Sequence, residues 1–394
     1  MQNFDFSNPT RIVFGEGVIA KLGKLLPETA QVLIVVGGSS AEKNGTLAEV
    51  RAALGARRHA TFSGIEPNPT LETSMRAVAQ FQQGGFDFLL AVGGGSVIDA
   101  VKFIAAAVRL PKVDAVADPV AAWELVRKGG RGVAQAAPLG VVLTLPATGS
   151  EMNNGGVLTH AAEGAKLPFS NRLLFPQFAL LDPTKTYTLP TRQLANGVVD
   201  AFVHTMEQYL TYPVDARVQD RFTEGLLQTL IEIGPRIVDS ETPDYADRAN
   251  LVWSATLALN GLIGAGVPQD WATHMIGHEL TALYGIDHAR TLAVVLPAVM
   301  DARREQKHAK LLQYAERVWG ITEGSEEGRI NAAITQTRNF FEGLGVPTRL
   351  SAYDLGAEAA DAVVAQLAKH GMVALSEHRD IDAATARDIL GLAI

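Results

Sequence analysis

Asp200 and His204 in VVDAFVHTMEQY, with His274, His278 and His288 in DWATHMIGHELTALYGIDH, are the side chains of this chain best suited to chemistry. Residues four apart on a helix are separated by about 40° around its axis, so each pair points its side chains to one face. A carboxylate and imidazoles converging on one point make a ligand set for a divalent metal. That set needs only one of His274 and His278, with His288 reaching it from the turn GIDHAR. Nitrogen and oxygen donors of this kind suit Fe2+ or Zn2+ and not Mg2+ or Ca2+, which prefer oxygen shells. Residue type alone does not separate iron from zinc. The chain has no cysteine, so a thiolate site and a disulfide framework are both excluded. Any one of these histidines could instead be satisfied inside a helix; it is their clustering in two segments that favours a metal. The other histidines, His59, His160, His308, His370 and His378, are read as surface or loop residues.

A second constellation lies upstream. Gly93, Gly94, Gly95 and Ser96 follow the apolar run FDFLLAV and open the helical stretch VIDAVKFIAAAV. Backbone N–H groups there can face a pyrophosphate with no side chain in the way, although the spacing is not G-x-G-x-x-G and a plain tight turn has the same composition. Asp99 and Lys102 follow on about one helical face, directed back toward the loop. Thr144, Thr148, Gly149 and Ser150 form a hydroxyl-rich loop after another strand, suited to phosphate or ribose and equally to capping a helix start. The first nucleotide strand ends in Gly37, Gly38, Ser39 and Ser40, with Lys43 just beyond. No carboxylate stands there to repel a 2′-phosphate, which favours NADP over NAD.

These residues need rigid elements to carry them. The first half alternates runs apolar on both faces with helical stretches, which implies a doubly wound parallel sheet. The helical stretches include AEKNGTLAEVRAALG and TLETSMRAVAQFQQ. From about residue 186 the strand signal stops and long amphipathic helices take over, so domains of 1–185 and 186–394 are expected, the second all-α. DARREQKHAK (301–310) reads as a solvated helix face. The net charge of −8 argues against a nucleic-acid partner. No run approaches the ~20 apolar residues that span a bilayer, and the first residues lack a signal-peptide layout. A cytoplasmic protein without a membrane partner is expected.

GGGSVIDAVK together with Asp200, His204, His274 and His288 resembles the iron-containing (group III) alcohol dehydrogenase family. The likeness runs through NPTRIVFGEG, GIEPNP, LTLPATGSE, LLDP, ANGVVDAFVH and GLIGAGVPQDWATHMIGHELTA. The branch it resembles most is the butanol-dehydrogenase-like group of broad-specificity NADPH-dependent aldehyde reductases. The resemblance implies an N-terminal Rossmann-like domain and a helical C-terminal domain, with cofactor and metal facing each other across a cleft. It implies Asp200, His204, His274 and His288 as metal ligands, and His278 as a site-lining residue that does not bind metal. For NADP(H) it implies Gly37, Gly38, Ser39 and Ser40 at the adenosine phosphate, and Asn68, Gly94, Gly95, Ser96 and Asp99 along the pyrophosphate and nicotinamide. Thr144, Thr148 and Asn153 follow, and Lys166 lies near the nicotinamide ribose. His278 and Asp99 are the catalytic side chains of this reading. Ala289-Arg290 after the last histidine, where many members have glycine, departs from the family pattern.

The expected reaction is aldehyde and primary-alcohol interconversion by hydride transfer with NADP(H), with one Fe2+ or Zn2+. Water, a ribose hydroxyl or His278 would supply the proton. An NAD-dependent alcohol or polyol dehydrogenase of the same fold is the nearest rival. A lyase of the dehydroquinate-synthase kind and a non-catalytic binding protein are the others. A homodimer is expected, with strand pairing near FDFSNPTRIVFG.

Overall fold

Alternate residues of four strands carry much of the first core. Val32, Ile34 and Val36, then Phe88, Leu90 and Val92, then Val142, and Phe178 and Leu180 pack with Val18, Ile19, Leu22, Leu47, Val50 and Leu54 in one buried cluster. The computed structural model describes residues 1–113 and 116–394. Its main strands are β1 (Arg11–Phe14), β2 (Val32–Val36), β3 (His59–Ser63) and β4 (Phe88–Gly93). A small ribbon, β5 (Lys112–Val113) with β6 (Val116–Ala117), precedes β7 (Leu139–Leu143). A hairpin of β8 (Gly155–His160) and β9 (Ala165–Ser170) is followed by β10 (Phe178–Leu181).

The six-stranded sheet has the order β1-β10-β7-β4-β2-β3, with every pairing parallel. From β2 the chain winds outward to β3, then returns past β2 to β4 and continues through β7 to β10. The winding therefore reverses between β2 and β4, where ligands of open α/β sheets bind outside the carboxyl ends of the strands. β2, β4, β7 and β10 are buried throughout, as a sheet covered on both faces requires. The expected α/β architecture with a helical C-terminal region is what the chain forms.

The chain divides into two compact units, Ser7–Leu189 and Met1–Phe6 with Pro190–Ile394. In the second, helices Ala272–Tyr284, His288–Ala302, Ala357–Lys369 and Ala383–Leu392 share a core that includes Ile276, Leu280, Val295, Val299, Val363 and Ile389. Helix Thr191–Tyr209 starts directly after Pro190, and Gly285 in the left-handed region (φ 68°) closes Ala272–Tyr284. Among the described residues no helix is long and apolar enough to cross a membrane.

Three local expectations are corrected. AEKNGTLAEVRAALG is not one helix: Ser40–Lys43 and Thr46–Leu54 are separated at Gly45 (φ 81°), and Asn44 Oδ1 accepts from Thr46 N at 3.1 Å. His288 is the first residue of a helix and not a turn residue. DARREQKHAK is not a solvated face, since Arg303, Lys307 and Lys310 are buried. Lys307 pairs with Asp270 at 2.8 Å and Glu377 at 2.9 Å, Arg303 with Asp380 and Lys310 with Asp220. Periodicity registers polarity but not the tertiary partners that allow charges to be buried.

Candidate active site

In the α/β unit, Gly37–Ser40, Gly93–Ser96 and Thr144 continue three adjacent strands at their carboxyl ends. Register places Val36 beside Val92 and Gly93 beside Leu143, and Thr144 N donates to Gly93 O at 3.0 Å. Glycine is required here for close approach: a Cβ on Gly94 would meet Leu145 Cβ at 2.9 Å, and one on Gly95 would meet Thr148 Oγ1 at 2.6 Å. Gly38, Ser39 and Ser40 are exposed. Asn68 holds a left-handed backbone (φ 57°), which asparagine tolerates. The turn it belongs to reaches the hairpin, where Thr159 N donates to Pro69 O at 2.9 Å, and Thr159 pairs with Lys166 across β8 and β9.

A buried network ties these loops together. Lys102 Nζ donates to Ser150 Oγ at 2.8 Å, Asn153 Oδ1 at 2.8 Å and Gly155 O at 2.6 Å. Ser150 Oγ donates to Asp99 Oδ1 at 2.6 Å, and Val157 N to Asp99 Oδ2 at 2.9 Å. Both Asp99 oxygens are thus engaged within the protein, and so is Asn153, whose Nδ2 donates to Gly149 O at 3.0 Å. Burial raises the Asp99 carboxyl, opposed by Lys102 and, more weakly, Lys166. Burial lowers the Lys102 ammonium to about 8, opposed by Asp99 and Glu151.

In the helical unit, Asp200 and His204 lie one turn apart on Thr191–Tyr209, and His274 and His278 one turn apart on Ala272–Tyr284. Asp200 Oδ1 is the hub: His204 Nδ1 is 3.4 Å away, His288 Nε2 3.8 Å and His274 Nε2 3.9 Å. These distances are long for hydrogen bonds. They approach the edges of a tetrahedron of donors around one ion, about 3.3 Å for bonds of ~2.0 Å. Possible ligating atoms of Asp200, His204 and His274 all lie within 4.8 Å of one another. Among the described residues, buried Asp200 Oδ1 and His204 Nδ1 have no hydrogen-bond partner, a costly state that a cation would relieve. Burial lowers the His204 imidazole to about 4, with Asp200 opposing, so its ring is neutral and able to ligate. The donors therefore fit a divalent ion of the iron or zinc kind. His278 is buried against the rings of His288 (5.1 Å) and His274 (6.0 Å). Trp271 stands edge-on to His274 at 5.5 Å and His204 at 6.2 Å.

Glu207 was not singled out by sequence reasoning. It pairs with His274 through the ring Nδ1, and its Oε1 accepts from His274 N at 3.1 Å. Burial, then Asp270, pushes its carboxyl well above the usual range. A carboxylate three residues past His204, in a helix segment buried from Gly197 through Tyr209, was the available signal.

Comparison with known proteins gives concordant results. The family model described as iron-containing alcohol dehydrogenase matches residues 9–183. The model of the Fe-containing alcohol dehydrogenase family, C-terminal, matches residues 194–393. The chain is 56% identical over 389 residues to the NADPH-dependent aldehyde reductase YqhD of Escherichia coli K12, covering 99% of each chain. It is 39% identical to NADP-dependent alcohol dehydrogenase 3 of Entamoeba histolytica, covering 97% of this chain and 96% of that protein. The crystal structure of E. coli K-12 YqhD superposes with a TM-score of 0.96 at 55% identity, covering 100% of this chain and 99% of that one.

Proposed function

The chain belongs to the iron-containing alcohol dehydrogenase family, and from that premise we propose that it is a metal-dependent oxidoreductase that reduces aldehydes to primary alcohols with NADPH. The observation that carries this reading is Asp200 Oδ1 with three imidazole nitrogens around it. Asp200, His204, His274 and His288 would hold the ion. Gly37, Gly38, Ser39, Ser40, Asn68, Gly94, Gly95, Ser96, Thr144, Thr148 and Lys166 would hold the dinucleotide. When bound, the ion supplies Lewis acidity toward a carbonyl oxygen and NADPH supplies the hydride.

The protein's own contributions are positional and protic. His278, buried beside His274 and His288, is assigned to deliver the proton that the product oxygen takes up. Trp271 covers His204 and His274 with an apolar ring and keeps bulk water from that side. Asp99, with both oxygens engaged, and Asn153 are assigned to holding the loops that receive the cofactor. The absence of a carboxylate from Gly37, Gly38, Ser39 and Ser40, at the end of β2, supports NADPH over NADH. We also assign a homodimer in the cytoplasm; a solution mass of one chain would overturn the dimer.

The test is the initial rate of NADPH oxidation with a medium-chain aldehyde, on the protein as purified, after chelation, and after restoring Zn2+ or Fe2+. Activity should vanish on chelation and return with one of the two ions. Turnover indifferent to chelation would refute the metal-dependent reading.

A further inference from the structure

We propose that Glu163 is a positioning residue for the cofactor: from the tip of the β8–β9 hairpin it grips helix Pro119–Arg127 and so fixes Lys166, near the start of β9, against the turn that carries Asn68. The proposal rests on the cofactor-site reading above and extends it to residues outside that set. Trp123 Nε1 donates to Glu163 Oε2 at 3.0 Å, and Arg127 donates to Oε1 at 2.6 Å. Trp123 is only 4% exposed, and a buried N–H left without an acceptor is costly. An exposed ion pair such as Arg127 with Glu163 contributes little alone, so the indole bond is the stronger part of the grip. The Arg127 guanidinium holds the Glu163 carboxyl below the usual carboxylate range, which keeps both oxygens acceptors at neutral pH.

Two strands alone are marginally stable, so the hairpin depends on its attachments. Those of β8 are spread along its length: Gly155 O accepts from Lys102, Val157 N donates to Asp99 and Thr159 N donates to Pro69 O. Among the described residues β9 pairs with β8 alone. Its far end is held where Ser170 N donates to Gly129 O at 3.2 Å. Lys166 lies at the other end, opposite Thr159 and two residues past Gly164, whose left-handed backbone (φ 58°) helps reverse the chain. Glu163, the last residue of the turn Ala161–Glu163 between the strands, anchors that end. His160, opposite Ala165, adds its ring edge-on to Trp123 at 5.0 Å. Lys166 is 6% exposed. A side chain packed so closely has little room to readjust, so a shift of its backbone carries the ammonium with it.

A double-mutant cycle separates positioning from a merely structural role. NADPH dissociation constants would be measured by fluorescence titration for the unmutated protein, E163A, E163Q, K166M and the double variant E163A/K166M, together with the melting temperature of each. Glu163→Ala should weaken binding by about fivefold, the scale of one hydrogen bond. Glu163→Gln, whose amide oxygen still accepts from Trp123 Nε1, should recover most of that loss. Lys166→Met should weaken binding by itself, and adding E163A to it should cost less than about twofold, because a residue that acts through Lys166 then has nothing left to place. A merely structural role would instead lower the melting temperature and leave the two affinity losses to multiply.

NADPH affinity unchanged in E163A while K166M loses it would overturn the positioning role and leave the cofactor site standing, as would losses that multiply in the double variant. K166M with unaltered affinity would overturn both the assignment of Lys166 and the role of Glu163. Should E163A fail to fold, Trp123→Phe decides, since it keeps an aromatic ring against the hairpin and removes the N–H. The same loss in W123F, abolished in W123F/K166M, would support the proposal, and an affinity equal to that of the unmutated protein would refute it.

Discussion

Lys102 is fully buried yet donates to three acceptors on the 150–155 segment. Ser150 and Asn153 link it to the proposed cofactor site, so Lys102→Met should weaken NADPH binding by about tenfold, the worth of one charged hydrogen bond. Fluorescence titration checks this, and an unchanged dissociation constant would sink the role. Its titration adds a signed consequence. In the folded protein the ammonium releases its proton near 8, whereas the unfolded chain holds it to about 10.5. Between those values the unfolded state binds more protons, so this group makes stability rise with pH across that window. The urea midpoint of K102M should lack that rise. NADPH affinity of the unmutated protein should decline above pH 8, because a neutral amine has two N–H groups for three acceptors. His278→Asn should lower kcat by about 10²-fold and alter the limb of the pH–rate profile set by an imidazole; a profile identical to the unmutated one would remove His278 from the proton path. At this scale the sequence was most legible where spacing alone carries the geometry: the one-turn separations of Asp200 from His204 and of His274 from His278 needed no tertiary knowledge. Glu207 escaped because its contact with His274 exists only once a second helix lies beside it.

Helices Ala272–Tyr284 and His288–Ala302 set the distance between His274 and His288, and Gly277 lets them approach. A Cβ there would meet Thr291 Oγ1 at 2.9 Å and Leu292 Cδ2 at 3.0 Å. Thr291 is fully buried and its hydroxyl donates to His288 O at 2.7 Å. Gly277→Ala gains about 1 kcal/mol of helix propensity, but crowding in a packed contact costs about 1–3 kcal/mol. The melting temperature should therefore fall and Zn2+ affinity with it, since the displaced helix carries His288 at its start; a raised melting temperature would show that the contact relaxes freely. Apolar periodicity located most elements but not their ends. The break at Asn44-Gly45 depends on one left-handed glycine and an asparagine turn, and the 301–310 segment was misjudged because its lysines and arginine find carboxylates far away in the chain.

Across the whole molecule the parallel sheet was the most legible feature, since strands apolar on both faces have few other places to go. Strand order was not, because it is set by which edges meet in space. That order has a temporal side. Among the described residues β1 pairs only with β10, Arg11 lying against Phe178, and the peptide at Gln2 is hydrogen-bonded to Gly266. At synthesis rates of about 5–20 residues per second, roughly ten to thirty seconds separate the emergence of β1 from that of its partner. Through that interval the RIVF segment has no strand to join, and the residues before it wait longer still. β1, the first strand of the sheet in chain order, is therefore among the last to be fixed in it. In the nascent chain, exposure to chaperones, proteases and misassembly is high at the RIVF segment until β10 emerges.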